Sequence, residues 1–489
     1  MKLSVLTEGN PYIPPEWDRE INDIRIDSRD VLPGDLFIAR RGSRGDGREH
    51  IDAALANGAA AVLAEGPLGF ECGAAGVPLF FCSDLPQQLN SWLLRRYPLA
   101  DSLALIAVTG TNGKSSVTQY IAQLATLLQQ SAGLIGTLGN GIWPELQPTR
   151  NTTPDLSVIL QSLTVMQQQQ VSTVAMEVSS HGIDQQRIAG LSFTTAVMTN
   201  LTQDHLDYHG DMEGYFDAKA RLFRDYPLQQ ALINVDDDYG RRLLQDNRVQ
   251  AARYSYGQAD DADVCYQTPE YRDGWLTTLL STPWGSGELR LPLIGDFNVA
   301  NAVAAIAVLC VQGLDFTALI GAASRLQAVD GRMELYQREL NGRRQLAVVD
   351  FAHTADALHN VMHAVRNVAA SRALVFGCGG DRDRGKRPQM AAAALASGAQ
   401  VWLTDDNPRS EDPQQIFNDV LQAPGSEVFH CCHNRREAII QACDSDAGLI
   451  VVAGKGHENY QEIGAVKHDF SDAEVLMSLG FSKAGGQHA

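Results

Sequence analysis

Short apolar runs alternate with amphipathic stretches along this chain, and the alternation predicts strands and helices in turn. In residues 1–88, runs at 24–29, 31–39, 59–64 and 78–82 read as short strands, and 50–57, closed by Gly58, reads as a helix. From 89 to 331 the strand patterns are 103–108, 172–178, 193–198 and 230–235. Helical spacing lies at 117–129 and 155–169, irregular β structure is expected over 250–292, and a helix opens after Gly295. From 332 to 489 the alternation restarts with buried-strand runs at 346–350, 373–377, 401–404 and 448–453. Such alternation predicts α/β domains with largely parallel sheets covered on both faces, and active groups at the carboxyl ends of the strands. Three domains are expected, 1–88, 89–331 and 332–489, with a frayed Gly- and Ala-rich tail after Leu479. No internal repeat interrupts the pattern.

The chemistry sits where the strands end. The run 103–108 leads into Thr109-Gly-Thr-Asn-Gly-Lys-Ser-Ser116 and then a helix. The N–H groups of such a loop and the helix N-terminus cradle phosphates. Lys114 reaches the terminal phosphates, and the hydroxyl of Ser115 is placed to ligate Mg²⁺. Only Thr111 and Asn112 separate Gly110 from the Gly113-Lys114 pair, where the usual loop has about four residues. A glycine turn with an exposed lysine is the plain alternative. Glu177 and Ser115 are oxygen donors suited to hard Mg²⁺. On residue type alone, His205 reads better as a hydrogen-bonding histidine and Asp204 as a helix N-cap. Lys219, in the amphipathic stretch 215–223, reads as a surface lysine, and Arg332 as either a phosphoryl-stabilising group or an ion-pair arginine.

Two more regions carry candidate sites. The loop 40–48 is rich in Gly and Arg and offers forks to an anionic ligand, or is simply solvated. In the last third, loops at 350–353, 377–383, 405–409 and 454–458 share one sheet edge. There Pro408 fixes a turn, Arg409 presents a planar fork to a carboxylate, and Asp406 or Glu458 attracts an ammonium.

Composition narrows the class. At 489 residues the chain exceeds one core, and 44% hydrophobic with 20% charged residues fits a globular enzyme. A net charge of −19 argues against nucleic acid or an anionic membrane as partner, yet leaves room for an anionic substrate held by local arginines. The eight cysteines show no metal-type spacing and are expected as free thiols in a reducing cytosol. The N-terminus lacks an apolar leader core, and no run of about 18 apolar residues suggests a membrane span.

Taken in order, Thr109–Ser115, Glu177-Val-Ser-Ser-His181, Asn200-Leu-Thr-Gln-Asp-His205, Asn298-Val-Ala-Asn301, Gly331-Arg332 and Asp350-Phe-Ala-His353 resemble the Mur ligase family, the ATP-dependent amide-forming enzymes of peptidoglycan precursor synthesis. Asn151-Thr-Thr-Pro154, Asp406-Asn-Pro-Arg409 and Gly454-Lys-Gly-His-Glu458 resemble its diaminopimelate-adding branch. The resemblance implies a small UDP-sugar-binding domain, a P-loop ATPase-like central domain and a Rossmann-like amino-acid-binding domain. It also implies a cytoplasmic monomer using ATP and Mg²⁺ to join meso-2,6-diaminopimelate to the D-glutamate γ-carboxylate of UDP-N-acetylmuramoyl-L-alanyl-D-glutamate through an acyl phosphate. By position it implies that Gly110, Thr111, Asn112, Gly113, Lys114, Ser115, Ser116, Asn301, Arg332 and Asp350 bind ATP. Ser115, Glu177, His205 and Lys219, the last as a carbamate (N6-carboxylysine), would hold the metal, with Lys114, Glu177, His205 and Lys219 catalytic. Ile26, Ser28, Ser43, Arg44, Gly45, Asn151, Thr152, Thr153, Ser179, Gln185 and Arg187 match nucleotide-sugar positions. Arg382, Asp406, Asn407, Pro408, Arg409, Gly454 and Glu458 match diaminopimelate positions, and Arg409 favours that amine over lysine. Three departures stand out: Lys114-Ser-Ser116 for the commoner Lys-Thr-Thr, Phe351 and Ala355 for Tyr and Pro, and Ser43-Arg-Gly45 for His-Gln-Ala. A lysine-adding sister enzyme, a folylpolyglutamate synthase-like ligase and a nucleotide-dependent switch are the competing readings.

Overall fold

The computed structural model describes residues 1–42, 45–73, 76–100, 102–149, 151–340 and 342–484. The first sheet runs Ile24–Arg25, Leu36–Ala39, Ala61–Glu65, Pro78–Cys82, Gly69–Cys72, parallel except for its last pair. Its core continues into the next domain. The helix Leu85–Arg96 buries Leu85, Leu89, Trp92 and Leu93 in the same cluster as Leu156 and Leu160 of the helix Leu156–Gln168. This helix therefore crosses residue 88, where the sequence pattern sets a boundary. An apolar stripe at helical spacing needs a partner, and this one packs on both sides, with Leu63 and Phe80 of the first sheet and with Leu156 and Leu160.

The central sheet is built on six parallel neighbours: Ala132–Gly136, Thr173–Glu177, Ala104–Thr109, Phe193–Met198, Leu228–Asn234 and Ala252–Gly257. The strand Ala104–Thr109 lies in the middle, and the chain leaves it for strands on either side. That makes its carboxyl end a topological switch point, where α/β sheets bind ligands. The expected irregular stretch is instead ordered: Ala252–Gly257 and Val264–Tyr266 continue the sheet in parallel, and Trp275–Thr282 then pairs antiparallel along its length with Gly285–Leu291. The helices Lys114–Leu127 and Phe297–Val311 pack in one buried cluster with the sheet. Beyond Asn298 and Asn301 near its start, the second is apolar on every side, as suits a helix with no solvent face.

The third sheet runs His430–Cys431, Gln400–Leu403, Arg372–Phe376, Leu449–Ala453, Arg343–Asp350, Glu334–Leu340, Ser482–Lys483. Its first five strands are parallel, and their carboxyl ends lead into the four loops singled out above. The tail departs from expectation: Phe481 is buried and anchors Ser482–Lys483 as an edge strand against Tyr336 and Gln337.

Candidate active site

The glycine loop is shaped by contacts only glycine permits. Gly110 has φ +146°, and a Cβ there would fall 1.9 Å from Thr199 Oγ1. Gly113 has φ +88° and forms the N-cap of Lys114–Leu127; its Cβ would fall 2.6 Å from Asn301 Oδ1. The helix begins three residues before the predicted 117, because Lys114, Ser115 and Ser116 form its polar first turn. Asn200 fixes the loop by accepting the N–H of Thr111 at its carbonyl and the N–H of Asn112 at its side chain, both at 2.9 Å. Lys114 Nζ donates to the carbonyls of Gly110 and Thr111 at 2.9 Å.

Lys219 is not a surface lysine. It lies i+4 from Tyr215 and i−4 from Phe223, on the apolar face of Met212–Arg224, and is 1% exposed. Its Nζ donates to the Gly110 carbonyl at 2.8 Å and lies 4.7 Å from the centre of the Tyr215 ring. Burial pushes its pKa well below the ordinary lysine range, and the nearby charge of Lys114 adds to the effect.

Glu177 ends its strand buried beside the loop. One carboxylate oxygen accepts from Ser115 Oγ at 2.9 Å and Thr137 Oγ1 at 3.1 Å; the other accepts the Thr137 N–H at 2.8 Å. The Thr137 proton being taken by Glu177, the Thr152 hydroxyl 3.1 Å away donates to Thr137 Oγ1. Sequence reasoning missed Thr137, whose only signal is that it follows a strand end. His205 is in the left-handed region at φ +55°, with its ring 6.2 Å from Tyr215 and 4.8 Å from His181. Burial lowers its pKa to about 4, so the ring is neutral at pH 7. Asp204 is not the expected N-cap, because His205 holds that position and Asp204 accepts the His205 N–H instead. Glu177 and Ser115 thus touch, whereas His205 and Lys219 gather at Tyr215. Among the described residues, no three His, Cys, Asp or Glu groups come close enough to chelate a metal by themselves.

Asn301, packed beside Gly113, donates to Asn298 at 3.4 Å. Arg332 lies 4.4 Å from the Phe351 ring centre and donates to the Gly331 carbonyl at 3.1 Å. The substitution of Phe for the commoner tyrosine therefore leaves a platform for the guanidinium. Asp350 accepts the N–H groups of Met333 at 2.7 Å and Ala352 at 2.8 Å. Burial raises its pKa, and the charge of Arg332 works against that. Ala355 still opens a helix, Ala355–Ala364, because Thr354 caps it. Two contacts bring this domain to the loop: Asn112 Nδ2 donates to Asp356 at 3.3 Å, and His353 lies 3.8 Å from Asp204.

One cleft of about 1900 Å³ joins these groups. Asn151, Thr152, Thr153, Ser179, Gln185 and Arg187 line it, with Arg187 donating to the Thr153 carbonyl and to Gln185, both at 2.7 Å. Arg40, Arg41 and Gly42 line it too, from the loop 40–48. Ile26, Ser28, Gly45, Gly110, Pro408 and Lys219 are not among the lining residues. Ile26 packs on the core, and the Ser28 carbonyl is taken by Asn57. Ser43 and Arg44 lie outside the described residues.

The far wall holds Arg382, Asp406, Asn407, Arg409, Gly454 and Glu458. Arg409, at φ +51°, donates to the Gly380 carbonyl at 2.8 Å and pairs with Glu462 at 3.2 Å. Asn407 donates to Glu458 at 2.8 Å, and a Cβ on Gly454 would meet Asp406 at 2.8 Å. Asp406 and Glu458 already share a cation: Lys455, fully buried, lies 3.5 and 3.3 Å from them. Sequence reasoning passed over Lys455 inside its own motif.

The Mur ligase family domain matches residues 20–97, the Mur ligase middle domain 108–309 and the Mur ligase glutamate ligase domain 331–456. The chain belongs to the Mur ligase family. It is 44% identical over 465 residues to the UDP-N-acetylmuramoyl-L-alanyl-D-glutamate–2,6-diaminopimelate ligase of Pseudomonas aeruginosa, covering 94% of this chain and 95% of that one. Its fold matches a solved structure of a ligase of that name at 38% identity, 98% coverage of both chains and TM-score 0.65. A folylpolyglutamate synthase of Mycobacterium tuberculosis matches 76% of this chain and 91% of its own at TM-score 0.61 and 20% identity, a likeness of fold alone. Family membership makes the chain an ATP-dependent ligase.

Proposed function

We propose that this ligase phosphorylates the D-glutamate γ-carboxylate of UDP-N-acetylmuramoyl-L-alanyl-D-glutamate with ATP and joins the acyl phosphate to meso-diaminopimelate. One observation carries the reading. The phosphate loop with Glu177 and the loops of Asp406–Arg409 and Gly454–Glu458 face each other across a single cleft. A nucleotide switch has no use for the second set. A folylpolyglutamate-type enzyme has no use for a nucleotide-sugar domain, the role we give to residues 20–97, which match a Mur ligase family domain.

The residues divide the work. The first turn of Lys114–Leu127 and the Lys114 ammonium bind the phosphates of ATP. Ser115, Thr137 and Glu177 present hydroxyl and carboxylate oxygens at one point, a donor set that fits Mg²⁺. Bound there, Mg²⁺ neutralises charge on the transferring phosphoryl group. Arg332, steadied by Phe351, faces the same space. Lys219, whose pKa burial pushes well below the ordinary lysine range, gives up a proton more readily; its free lone pair adds to carbon dioxide with release of a second proton, and the carbamate formed would lie beside the Lys114 cation. Arg409 grips a carboxylate of the incoming amino acid, and its neighbours hold the ammonium so that the free amine meets the acyl carbonyl, chiefly an orientation effect.

The test is phosphate release with ATP and the UDP-sugar dipeptide, comparing meso-diaminopimelate with L-lysine. Release with diaminopimelate, with the tripeptide product confirmed by mass, is the expected result. Preference for lysine overturns the reading of the Asp406–Arg409 loop, and release with neither amine overturns the substrate assignment.

A further inference from the structure

The amino-acid pocket contains a fixed cation that this mechanism leaves unused. Lys455 has no exposed side-chain surface. Its Nζ donates to Asn407 Oδ1 at 3.0 Å and lies 3.3 Å from Glu458 Oε2 and 3.5 Å from Asp406 Oδ1. Every one of those partners lines the cleft. The Asn407 amide is thereby oriented: its oxygen accepts from Lys455 and from the Glu462 N–H at 2.9 Å, which turns its NH₂ group toward Glu458. Without the ammonium, Asp406 and Glu458 would be two carboxylates sharing one buried corner, a placement that disfavours charge on both. With it, one of the two negative charges is neutralised from within the protein. On the other side of Asn407, Arg409 is partly neutralised by Glu462.

Resting on the reading of these loops as the amino-acid site, we infer that Lys455 is a positioning and specificity residue. It aims Asn407 and Glu458 and holds the pocket one unit less negative than its carboxylates alone would make it. An amino-acid end group carrying both ammonium and carboxylate then suits the pocket beside Arg409, while a bare ammonium, such as the far end of lysine, gains little. Removing the Lys455 charge shifts the pocket one unit toward the anion and rewards the bare ammonium.

Lys455→Met keeps the stem and deletes the charge. The expected result is a KM for meso-diaminopimelate raised on the order of tenfold, the scale of a lost hydrogen bond to a charged group. The diaminopimelate-to-lysine ratio of kcat/KM should fall by a similar factor, while the KM for ATP and for the UDP-sugar dipeptide stays within about twofold. An unchanged amine KM and ratio, or all three KM values rising together, overturns the inference. Lys455→Met/Glu458→Gln restores the charge balance and is expected to regain thermal stability over Lys455→Met. If the single variant does not fold and the double variant does not recover it, the counter-ion role is refuted. That stability comparison needs no substrate, so it reads out Lys455 even where the parent enzyme releases phosphate with neither amine.

Discussion

Replacing Lys219 by alanine removes a buried side chain whose nitrogen is bonded to the phosphate loop at 2.8 Å. The structural cost is bounded. The Gly110 carbonyl keeps Lys114 as a donor at 2.9 Å, so no buried acceptor is orphaned. What remains is the cavity left by the stem, about 2–4 kcal/mol for a large-to-small change in a packed site. That shifts the melting temperature by some degrees without abolishing the fold. The catalytic cost is larger if a carbamate on Lys219 helps order the charge around the phosphates. Losing one preorganised electrostatic group costs on the order of 10²–10³ in kcat. Two variants separate the effects in a phosphate-release assay with the melting temperature recorded alongside. Lys219→Ala should lose activity and regain part of it with added short carboxylic acids, which enter the vacated space. Lys219→Met fills that space and should be equally inactive but not rescued. Full activity in Lys219→Ala, or a folded Lys219→Ala that no carboxylic acid rescues, would refute the carbamate reading.

Other consequences are more direct. Arg409→Ala should lower kcat/KM for diaminopimelate by about 30–100-fold, the worth of a charge-assisted fork, and leave lysine within about threefold; equal losses for both amines would contradict the fork. Gly113→Ala places a Cβ 2.6 Å from Asn301 Oδ1 at φ +88° and should cost about 1–2 kcal/mol while raising the KM for ATP; unchanged denaturation and ATP kinetics would contradict the loop geometry. Glu411 is held at about 2, against 4.5 ordinarily, chiefly by its hydrogen bonds from Arg387. Its folded pKa is depressed, so its stabilisation is present above about 4.5 and is lost as pH falls toward 2, about 1–2 kcal/mol after screening. Glu411→Gln should flatten that limb of melting temperature against pH, and an unchanged limb would count against the pair. Few polar contacts, Asn112–Asp356 and His353–Asp204 among them, tie the third domain to the loop. Solution scattering should therefore show a more compact particle with an ATP analogue and UDP-sugar dipeptide, and identical profiles would count against closure.

The strand–loop–helix at Gly110–Lys114 was legible because glycine spacing reports backbone geometry directly, and Glu177 because it ends an apolar strand. Lys219 was not legible from residue type: a lysine on an amphipathic helix is ordinarily outside, and only its position between Tyr215 and Phe223 marks the inner face. Lys455 was hidden for a related reason, since its partners Asp406, Asn407 and Glu458 come from two loops that a linear reading does not join. Ile26 and Ser28 lie away from the residues that line the cleft. Matching a family position does not place a side chain on the cleft, and here the first packs on the core while the second has its carbonyl taken by Asn57. The helix Leu85–Arg96 runs across residue 88 and packs both on the first sheet's core and on Leu156–Gln168, so an apolar pattern by itself does not mark where one domain ends.

The overall charge and the charge of the cleft point in different directions, and the difference follows from what the cleft must hold. Acidic residues outnumber basic ones 58 to 39 in the chain, whereas the cleft wall carries as many Arg and Lys as Asp and Glu. On the proposed reading, triphosphate, nucleotide diphosphate and carboxylate groups call for cations, and Lys114, Arg187, Arg332, Arg382 and Arg409 line the cleft from separate elements. Four of the carboxylates inside are committed to hydrogen-bond donors or a cation: Glu177 to Ser115 and Thr137, Asp350 to two backbone N–H groups, and Asp406 and Glu458 to Lys455. A volume of about 1900 Å³ exceeds the usual range for one small ligand, roughly 300–1000 Å³, and suits several bound side by side. Two of its walls are joined to the third by few polar contacts, so the arrangement fits a reaction in which an acyl phosphate made against one wall is consumed by an amine presented from the other.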